Sequence, residues 1–517
     1  MSANRFASFW LVVTAVVCGA VVMAVELLGA RMLSAGFGGS MAVWAAMISV
    51  TLLSLAVGYF IGGNLADRRP RPAILHSILL VAGILLSACP YARFVLKACY
   101  DSLGIQGGAL ASSAIIFFLP LGLLGMVSPF VIRVLSGEGR GVGVTAGGIY
   151  ALSTLGSVAG TLLTGLWIIP QFGTSTGFKI TAITTVITAA AGLISAVGWK
   201  ASPSLAIILA MAVLPGPSAK VGETYTAPDG EKVEIKAVRD SAHGRIVVLQ
   251  KGRYNLLVVN GIVQTGIPQN LSFLEKGQSL ASNYFQELIP YMVDQPRAAS
   301  ALIIGLAGGM TASLLMHYEM DVEAVEIDPE IIAIARQWFS YTGPAVAADG
   351  RQYIEDCRKT YDFCVIDTYS GDVFPFYLAS VEAFSAAKKV LKPSGVLAIN
   401  YIGEPKGEAF ASLYRTLREV FPNILALKGE YSDDVQTITV FASAEPLSIR
   451  NRWVDSLWNF KGVDPISEAI AQLTIEPPKN QGMILTDDRN PIDFLRSKEA
   501  LRWRMRTVHN IGERAIF

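Results

Sequence analysis

Four successive short apolar runs in the second half of the chain end in residues able to bind a ligand or move a proton. "ALIIG" ends at Gly305 and leads into Gly308 and Gly309. "VEAVEID" carries Glu326, "AVAAD" ends at Asp349 just before Gly350, and "FCVID" ends at Asp367. Glycines let a backbone turn tightly beneath a ligand. An acid about twenty residues after the first glycine is the usual partner of ribose hydroxyls. Asp367, at the mouth of a buried strand, is suited to act as a base or to orient an amine. Tyr369 and Asp372 follow closely enough to line an acceptor pocket. The alternative role for Asp367, and still more for Asp372, is a helix or turn cap. No G-x-x-x-x-G-K-[ST] is present, which argues against a nucleotide triphosphate. The series suits an adenosine bound without phosphates, with S-adenosylmethionine or a derivative as the natural candidate.

The elements that must position these residues read as repeated strand–helix units. Helices are expected at "MTASLLMHY", "PEIIAIARQWF", "GRQYIEDC" and "VEAFSAAKKVL", and a fifth strand at "GVLAIN". That rhythm predicts a parallel, doubly wound α/β sheet with its ligand at the carboxyl ends of the strands. Upstream, "KVEIKAVRDSAHGRIVVLQKGRYNLLVVNGIVQTG" alternates as short strands broken by Gly, Asp and Asn turns, a small antiparallel β-subdomain.

The first part of the chain is different. Of 517 residues, 52% are hydrophobic and 16% charged, with a mean hydropathy of +0.46, too apolar for an ordinary soluble enzyme. The charges are sparse before about Lys220. Spanning helices are expected at about Phe6–Ala30, Met41–Ile61, Ala73–Ala92, Ala109–Val134, Val144–Ile169 and Phe178–Val197. The first is too long for a signal peptide. "PSLAIILAMAVLP" (Pro203–Pro215) is short for a seventh. Three domains are therefore expected: 1–220 transmembrane, 221–285 β-subdomain with a gate segment, and 286–517 the nucleoside-binding catalytic domain.

Arg5, Arg68, Arg69, Arg71, Arg133 and Arg140 mark the cytoplasmic side by the excess of basic residues there. Six spans would return the catalytic domain to that side of a bacterial inner membrane. Gly156 with Gly160, and Gly143 with Gly147, form small-residue steps suited to close helix packing. A net charge of +1 gives no reason to expect nucleic acid. Five scattered cysteines without a C-x-x-C pair, and four separated histidines, give neither a disulfide framework nor metal-ligand spacing. The expected partners are the lipid bilayer and a small-molecule acceptor; oligomeric state, including a homo-oligomer, stays open.

From Arg245 to about Ala442 the chain resembles the spermidine synthases, the polyamine aminopropyltransferases. "VVNGIVQT" resembles their L-D-G-x-x-Q hairpin, which implies that Gln264 contacts the cofactor. "VEIDPEII" resembles their V-E-I-D-P stretch, placing Glu326 on the ribose. "ADGRQYI" resembles their G-D-G segment, with Asp349 near the adenine, and "YDFCVIDTYSGD" puts Asp367 at the catalytic aspartate. The resemblance implies a Rossmann-like, methyltransferase-type fold and an aminopropyl transfer from decarboxylated S-adenosylmethionine to an amine, releasing methylthioadenosine. The whole chain resembles bacterial fusions of a transporter-like membrane half to such a domain, and "GGNLADRRPRP" resembles a loop of major facilitator transporters.

The departures fall on the amine side. Where the family carries G-G-G-D-G-G this chain has "GLAGGM", so the loop aspartate becomes Gly308. That acid helps hold the cationic aminopropyl end. The second aspartate of the family's D-S-x-D falls at Ser370, with Asp372 two positions on. Without the loop acid, intact S-adenosylmethionine becomes more acceptable, and methyl or aminocarboxypropyl transfer or intramolecular cleavage opens. A transporter or sensor that binds the nucleoside without turnover is the third reading.

Overall fold

The computed structural model describes residues 2–39, 41–136, 141–198, 221–269, 292, 298–369, 371–429, 435–447, 473–478 and 480–512. Pro203–Pro215, Ser370 and the gate segment beyond residue 269 lie outside them. The chain forms two compact units, one chiefly of Met1–Ala219 and one of Lys220–Arg239 and Arg245–Ile516.

The first unit is helical: α1 Ser2–Phe37, α2 Met41–Arg68, α3 Pro72–Ala88, α4 Arg93–Gly125, α5 Val127–Ser136, α6 Val142–Leu163 and α7 Ile169–Val197. Five helical stretches are long and apolar enough to cross a membrane: Ser8–Phe37, Met41–Arg68, Pro72–Tyr91, Gly107–Ser136 and Val142–Val197. The expected fifth and sixth spans share the last stretch, whose 56 residues would extend about 84 Å if straight against a core of about 30 Å. It is not straight. A π turn at Thr164–Ile168, at the end of the expected fifth span, and left-handed Gly173, φ +74°, between the two expected spans, interrupt it. A run whose only charge is Lys179 hides such a break from hydropathy, although Pro170 and Gly173 mark it.

The small-residue steps behave unequally. A Cβ on Gly156 would lie 2.1 Å from the Val16 carbonyl, and one on Gly160 2.4 Å from that of Ala20, so this step lets α6 approach α1. Gly143 and Gly147 face open space.

The second unit has two sheets. β1 Thr224–Thr226, β2 Lys232–Asp240, β3 Arg245–Lys251, β4 Tyr254–Val259 and β5 Ile262–Pro268 form a five-stranded sheet in chain order. Asn260 and Gly261 turn β4 into β5 with φ of 48° and 80°, the conformation that Asn-Gly adopts most readily in a two-residue hairpin.

The larger sheet contains β6 Ser300–Ile304, β7 Asp321–Glu326, β8 Ala345–Ala347, β9 Tyr361–Ile366, β10 Leu391–Gly403, β11 Asn423–Lys428 and β12 Gln436–Ser443, in the order β11-β12-β10-β9-β6-β7-β8. From β8 to β10 the strands are parallel; β12 runs antiparallel to β10 and to β11. The helices are α8 Met310–His317, α9 Pro329–Trp338, α10 Gly350–Asp356, α11 Val381–Lys389, α12 Glu408–Val420, α13 Ile492–Leu495 and α14 Ser497–Ile511. Alternate residues of the central strands serve opposite faces. Leu302, Ile304, Ile366 and Leu397 join Phe384 and Phe410, while Ile303, Val365 and Ala398 join Leu315 and Ala335. Burial on both sides explains why these strands read as unbroken apolar runs.

Connections leave β6 toward β7 and β8, then the chain crosses back to β9. The reversal opens a crevice at the carboxyl ends of β6 and β9, where such sheets bind ligands.

Candidate functional site

Gly305 and Asp367 face each other across that crevice. The Asp367 amide donates to the Ile304 carbonyl at 2.9 Å, and the Gly305 amide to that of Val325 at 2.8 Å. Gly305 has φ +95°, and a Cβ there would lie 2.1 Å from the Asp367 carbonyl oxygen. Both conformation and space require glycine.

The turn that follows is tied to β7. Glu326 Oε2 accepts the Leu306 amide at 2.9 Å and Oε1 the Asp328 amide at 3.1 Å. Burial pushes the Glu326 carboxyl above its ordinary range, aided by the charge of Asp328 and opposed by the backbone amides. Each oxygen keeps a second lone pair, so this carboxylate can brace the turn and accept ribose hydroxyls together. Ala307 is left-handed at φ 47°. Gly309, φ +77°, starts α8, and a Cβ there would lie 2.6 Å from the Tyr341 ring.

Gly308 is different. Its Cβ would come within 2.9 Å of the Thr265 methyl and 3.2 Å of the Phe339 ring. The place of the family's loop acid is thus filled by two side chains, which must shift before any residue larger than glycine fits.

Asp349 does two jobs. It caps α10, accepting the Gln352 amide at 3.0 Å, and it stands at the carboxyl end of β8. Gly350 packs against β6, where a Cβ would lie 2.2 Å from Ile304 Cγ2.

Asp367 closes β9. Burial raises its carboxyl above the ordinary range, opposed by a hydrogen bond from Asn400 Nδ2 to Oδ1 at 2.8 Å. Asn400, at the end of the "GVLAIN" run, is a partner of Asp367 that the sequence reading does not select. Its Oδ1 and the nearby Thr368 Oγ1 are buried without hydrogen-bond partners among the described residues. Asn400 Oδ1 and the Asp367 carboxylate offer acceptors to an N–H donor, as an attacking amine requires.

The loop after β9 is held from several sides. Gln264 Nε2 donates to the Gly371 carbonyl at 3.0 Å, which ties the hairpin to this loop. Tyr369 was expected in the acceptor pocket, but its hydroxyl accepts the Ile402 amide at 2.7 Å. Burial pushes that phenol up to about 12. Asp372, expected to line the same pocket, is 4% exposed. It pairs with Arg504 through Oδ1–Nη2 at 2.8 Å and Oδ2–Nε at 3.4 Å. A buried carboxylate must be paired or neutralised, and Arg504 supplies the pair. Arg496 reinforces the loop, donating to the Asp372 carbonyl at 3.2 Å and the Ile402 carbonyl at 2.9 Å. Its guanidinium lies 5.4 Å from the Tyr369 ring centre and 5.3 Å from that of Tyr401. Neither arginine belongs to a recognisable motif, and both lie more than a hundred residues downstream.

The arrangement has the parts for binding an adenosyl group and deprotonating a nucleophile, on a sheet whose switch point juxtaposes the two. A family model described as a spermine/spermidine synthase domain matches residues 285–427, which include Glu326, Asp349, Asp367 and Asn400 but not Gln264, Arg496 or Arg504. A probable polyamine aminopropyl transferase of Bifidobacterium longum is 25% identical over 249 residues, covering 44% of this chain and 55% of that protein. An N-terminal histidine N-methyltransferase of Emericella nidulans is 31% identical over 173 residues, 30% of this chain and 31% of that one. Polyamine aminopropyltransferase 1 of Streptomyces coelicolor is 25% identical over 422 residues, 76% of this chain and 75% of that protein. The chain spans about half the length of the first of these relatives and about a third of the second. The second unit contains a spermidine synthase-type domain, with polyamine aminopropyltransferases among its relatives.

Proposed function

We propose that this protein is a membrane-anchored, aminopropyltransferase-like enzyme using decarboxylated or intact S-adenosylmethionine. A neutral amine attacks the methylene carbon next to the sulfonium, a C–N bond forms, and the C–S bond breaks. Its electron pair stays on sulfur, releasing methylthioadenosine. The proton lost from nitrogen passes to Asp367 or through it to water. Sulfur is a ready leaving group, so the protein's contribution is position and proton acceptance, the latter typically worth about 10²–10⁴-fold. Glu326 and the turn at Gly305–Gly309 hold the nucleoside, and Asp349 stands near the adenine. The apposition of Gly305 and Asp367 at the switch point is the observation that carries this reading. The apolar helices hold the domain at the cell membrane, with the catalytic unit in the cytoplasm, where S-adenosylmethionine is made.

A second reading keeps the cofactor and changes the group transferred. It is favoured by Gly308, where no acid is present to attract the ammonium of the decarboxylated compound or repel the carboxylate of the intact one. At about 4 Å and an effective dielectric near 20, such an interaction is roughly 4 kcal/mol before desolvation. On this basis the protein binds intact S-adenosylmethionine at least as well as the decarboxylated form.

Product analysis separates the readings. The purified full chain is incubated with each compound and an amine, and the nucleoside products are identified by mass spectrometry. Methylthioadenosine supports chain transfer or cleavage; S-adenosylhomocysteine would replace it with methyl transfer; no nucleoside product would contradict both.

A further inference from the structure

We infer that His76 and Thr14 form a proton-binding site inside the helical unit, and that proton uptake there tightens the tie between α3 and α1. The site lies outside the transferase reading and shares no residue with it.

His76 stands one turn into α3, within the apolar stretch Pro72–Tyr91, and is 1% exposed. An ionisable side chain on a membrane-spanning helix is costly and marks a functional site where its partner can be named. Here the partner sits on another helix. α7 packs against both α1 and α3, and its Gly192 leaves the slot through which the ring reaches α1. A Cβ on Gly192 would lie 2.0 Å from His76 Cδ2 and 2.1 Å from Nε2, so any other residue there would exclude the ring.

Both ring nitrogens end on oxygen. Nδ1 is 2.9 Å from the Pro72 carbonyl, which can only accept, so Nδ1 carries a hydrogen in either charge state. Nε2 is 3.2 Å from Thr14 Oγ1, and that hydroxyl is itself 2.7 Å from the Trp10 carbonyl. A hydroxyl has one hydrogen and two lone pairs. Turned toward Nε2, the hydrogen satisfies a neutral ring, while the Trp10 carbonyl keeps the helix amide four residues on. Turned toward Trp10, it leaves a lone pair for an Nε2–H, and the ring is a cation with both N–H groups bonded. A buried cation is tolerated only when it is hydrogen-bonded, and this one is met on both sides. Rotation about one C–O bond therefore exchanges the two states without moving a heavy atom. The bond from α3 to α1 is charge-assisted in the protonated state and hence stronger.

The charged and titratable groups on the surrounding helices are placed as follows. Arg71, exposed, precedes α3, and Cys18 is buried one turn beyond Thr14 on α1. Glu26 on α1 and Lys179 on α7 stand about 18 and about 20 Å along their helices from Thr14 and Gly192. Cys89 and Tyr91 follow the other end of α3, where α4 begins with Cys99, Tyr100 and the Lys97–Asp101 pair at 3.0 Å. Arg133 of α5 is held by Asp67 at 2.7 Å. The ring's hydrogen-bond partners among the described residues are the two oxygens of Thr14 and Pro72.

The test uses the full chain in lipid nanodiscs with His243→Gln, His317→Gln and His509→Gln, three exposed positions, so that His76 is the one histidine left of four. Nitrogen NMR of the imidazole, from about pH 8 to about pH 5, counts the ring hydrogens directly. The expected result is one hydrogen, on Nδ1, at the upper end and hydrogens on both nitrogens at the lower end, reversibly. In the same background Thr14→Val removes the oxygen that meets Nε2–H and should weaken proton uptake by about tenfold, because a bond to a charged donor is worth more than one to a neutral ring. Thr14→Ser should restore uptake to within a few-fold. A ring that holds the same number of hydrogens throughout the range overturns the inference, as does a Thr14→Val chain that takes up the proton as readily as its parent. Should Thr14→Val fail to fold, the count of ring hydrogens in the parent decides alone.

Discussion

Asn400 donates its side-chain amide to Asp367 Oδ1 at 2.8 Å, joining the carboxyl ends of β10 and β9. The bond favours the ionised carboxylate against the burial that disfavours it. Asp367 must be ionised to accept a proton, so turnover should rise with pH across its titration. Asn400→Leu removes the opposing bond and should move that acid limb to higher pH, with about a tenfold loss of kcat/KM near neutrality. A pH–rate profile with an unmoved limb would leave Asn400 a structural residue only.

Glu326 accepts the Leu306 and Asp328 amides and is proposed to accept the ribose hydroxyls as well. Hydrogen bonds to a charged group are each worth about 1.5–3 kcal/mol. Glu326→Ala should therefore weaken methylthioadenosine binding by at least about tenfold. Calorimetry showing unchanged affinity would remove Glu326 from the site.

Positions 305 and 307 should respond in opposite senses. Ala307 holds a left-handed conformation that costs an L-residue about 1–2 kcal/mol. Ala307→Gly relieves this while loosening the unfolded chain by about 0.4–1 kcal/mol, so stability should be unchanged or slightly higher. Gly305→Ala combines a left-handed φ with a Cβ 2.1 Å from the Asp367 carbonyl, and should cost more than about 2 kcal/mol together with nucleoside binding. Thermal unfolding and one binding titration on each variant check the pair; equal effects would mean that the turn is more pliant than its geometry implies.

The basic residues predict a cytoplasmic catalytic unit. Lys232 is exposed, and among the native cysteines Cys357 is partly accessible while the other four are buried. Lys232→Cys in a Cys357→Ser background should resist an impermeant thiol reagent in intact cells and react after lysis. Labelling in intact cells would place the unit outside and require Pro203–Pro215 to cross.

The strand-end series was legible because β6 and β9 are buried on both faces, so their apolar runs stop where the chain meets ligand or solvent, while the exposed edge strand β8 is short and apolar without being buried. Gly305, Glu326, Asp349 and Asp367 all fall at such stops. Asn400 obeys the same rule one strand later and was readable by it. Arg496 and Arg504 were not, because an arginine in a turn between helices or on an amphipathic helix looks like any solvated charge until folding buries it. Asp372 misled for the complementary reason: spacing placed it near the acceptor, while its pairing depends on a residue 132 positions away. Gln264 was found from the hairpin, but its partner, the Gly371 carbonyl, is a backbone group without a side-chain signature. In the helical unit, apolarity marked the spans but could not fix how many separate helices they form.

The most direct measurement is the rate of methylthioadenosine release by Asp367→Asn, set beside its affinity for methylthioadenosine. The substitution keeps the shape and removes the charge and the base. Turnover should fall by about a hundredfold or more while affinity stays within a few-fold. Near-normal turnover, or a loss of turnover matched by an equal loss of affinity, would contradict the assignment of Asp367 to the transfer step.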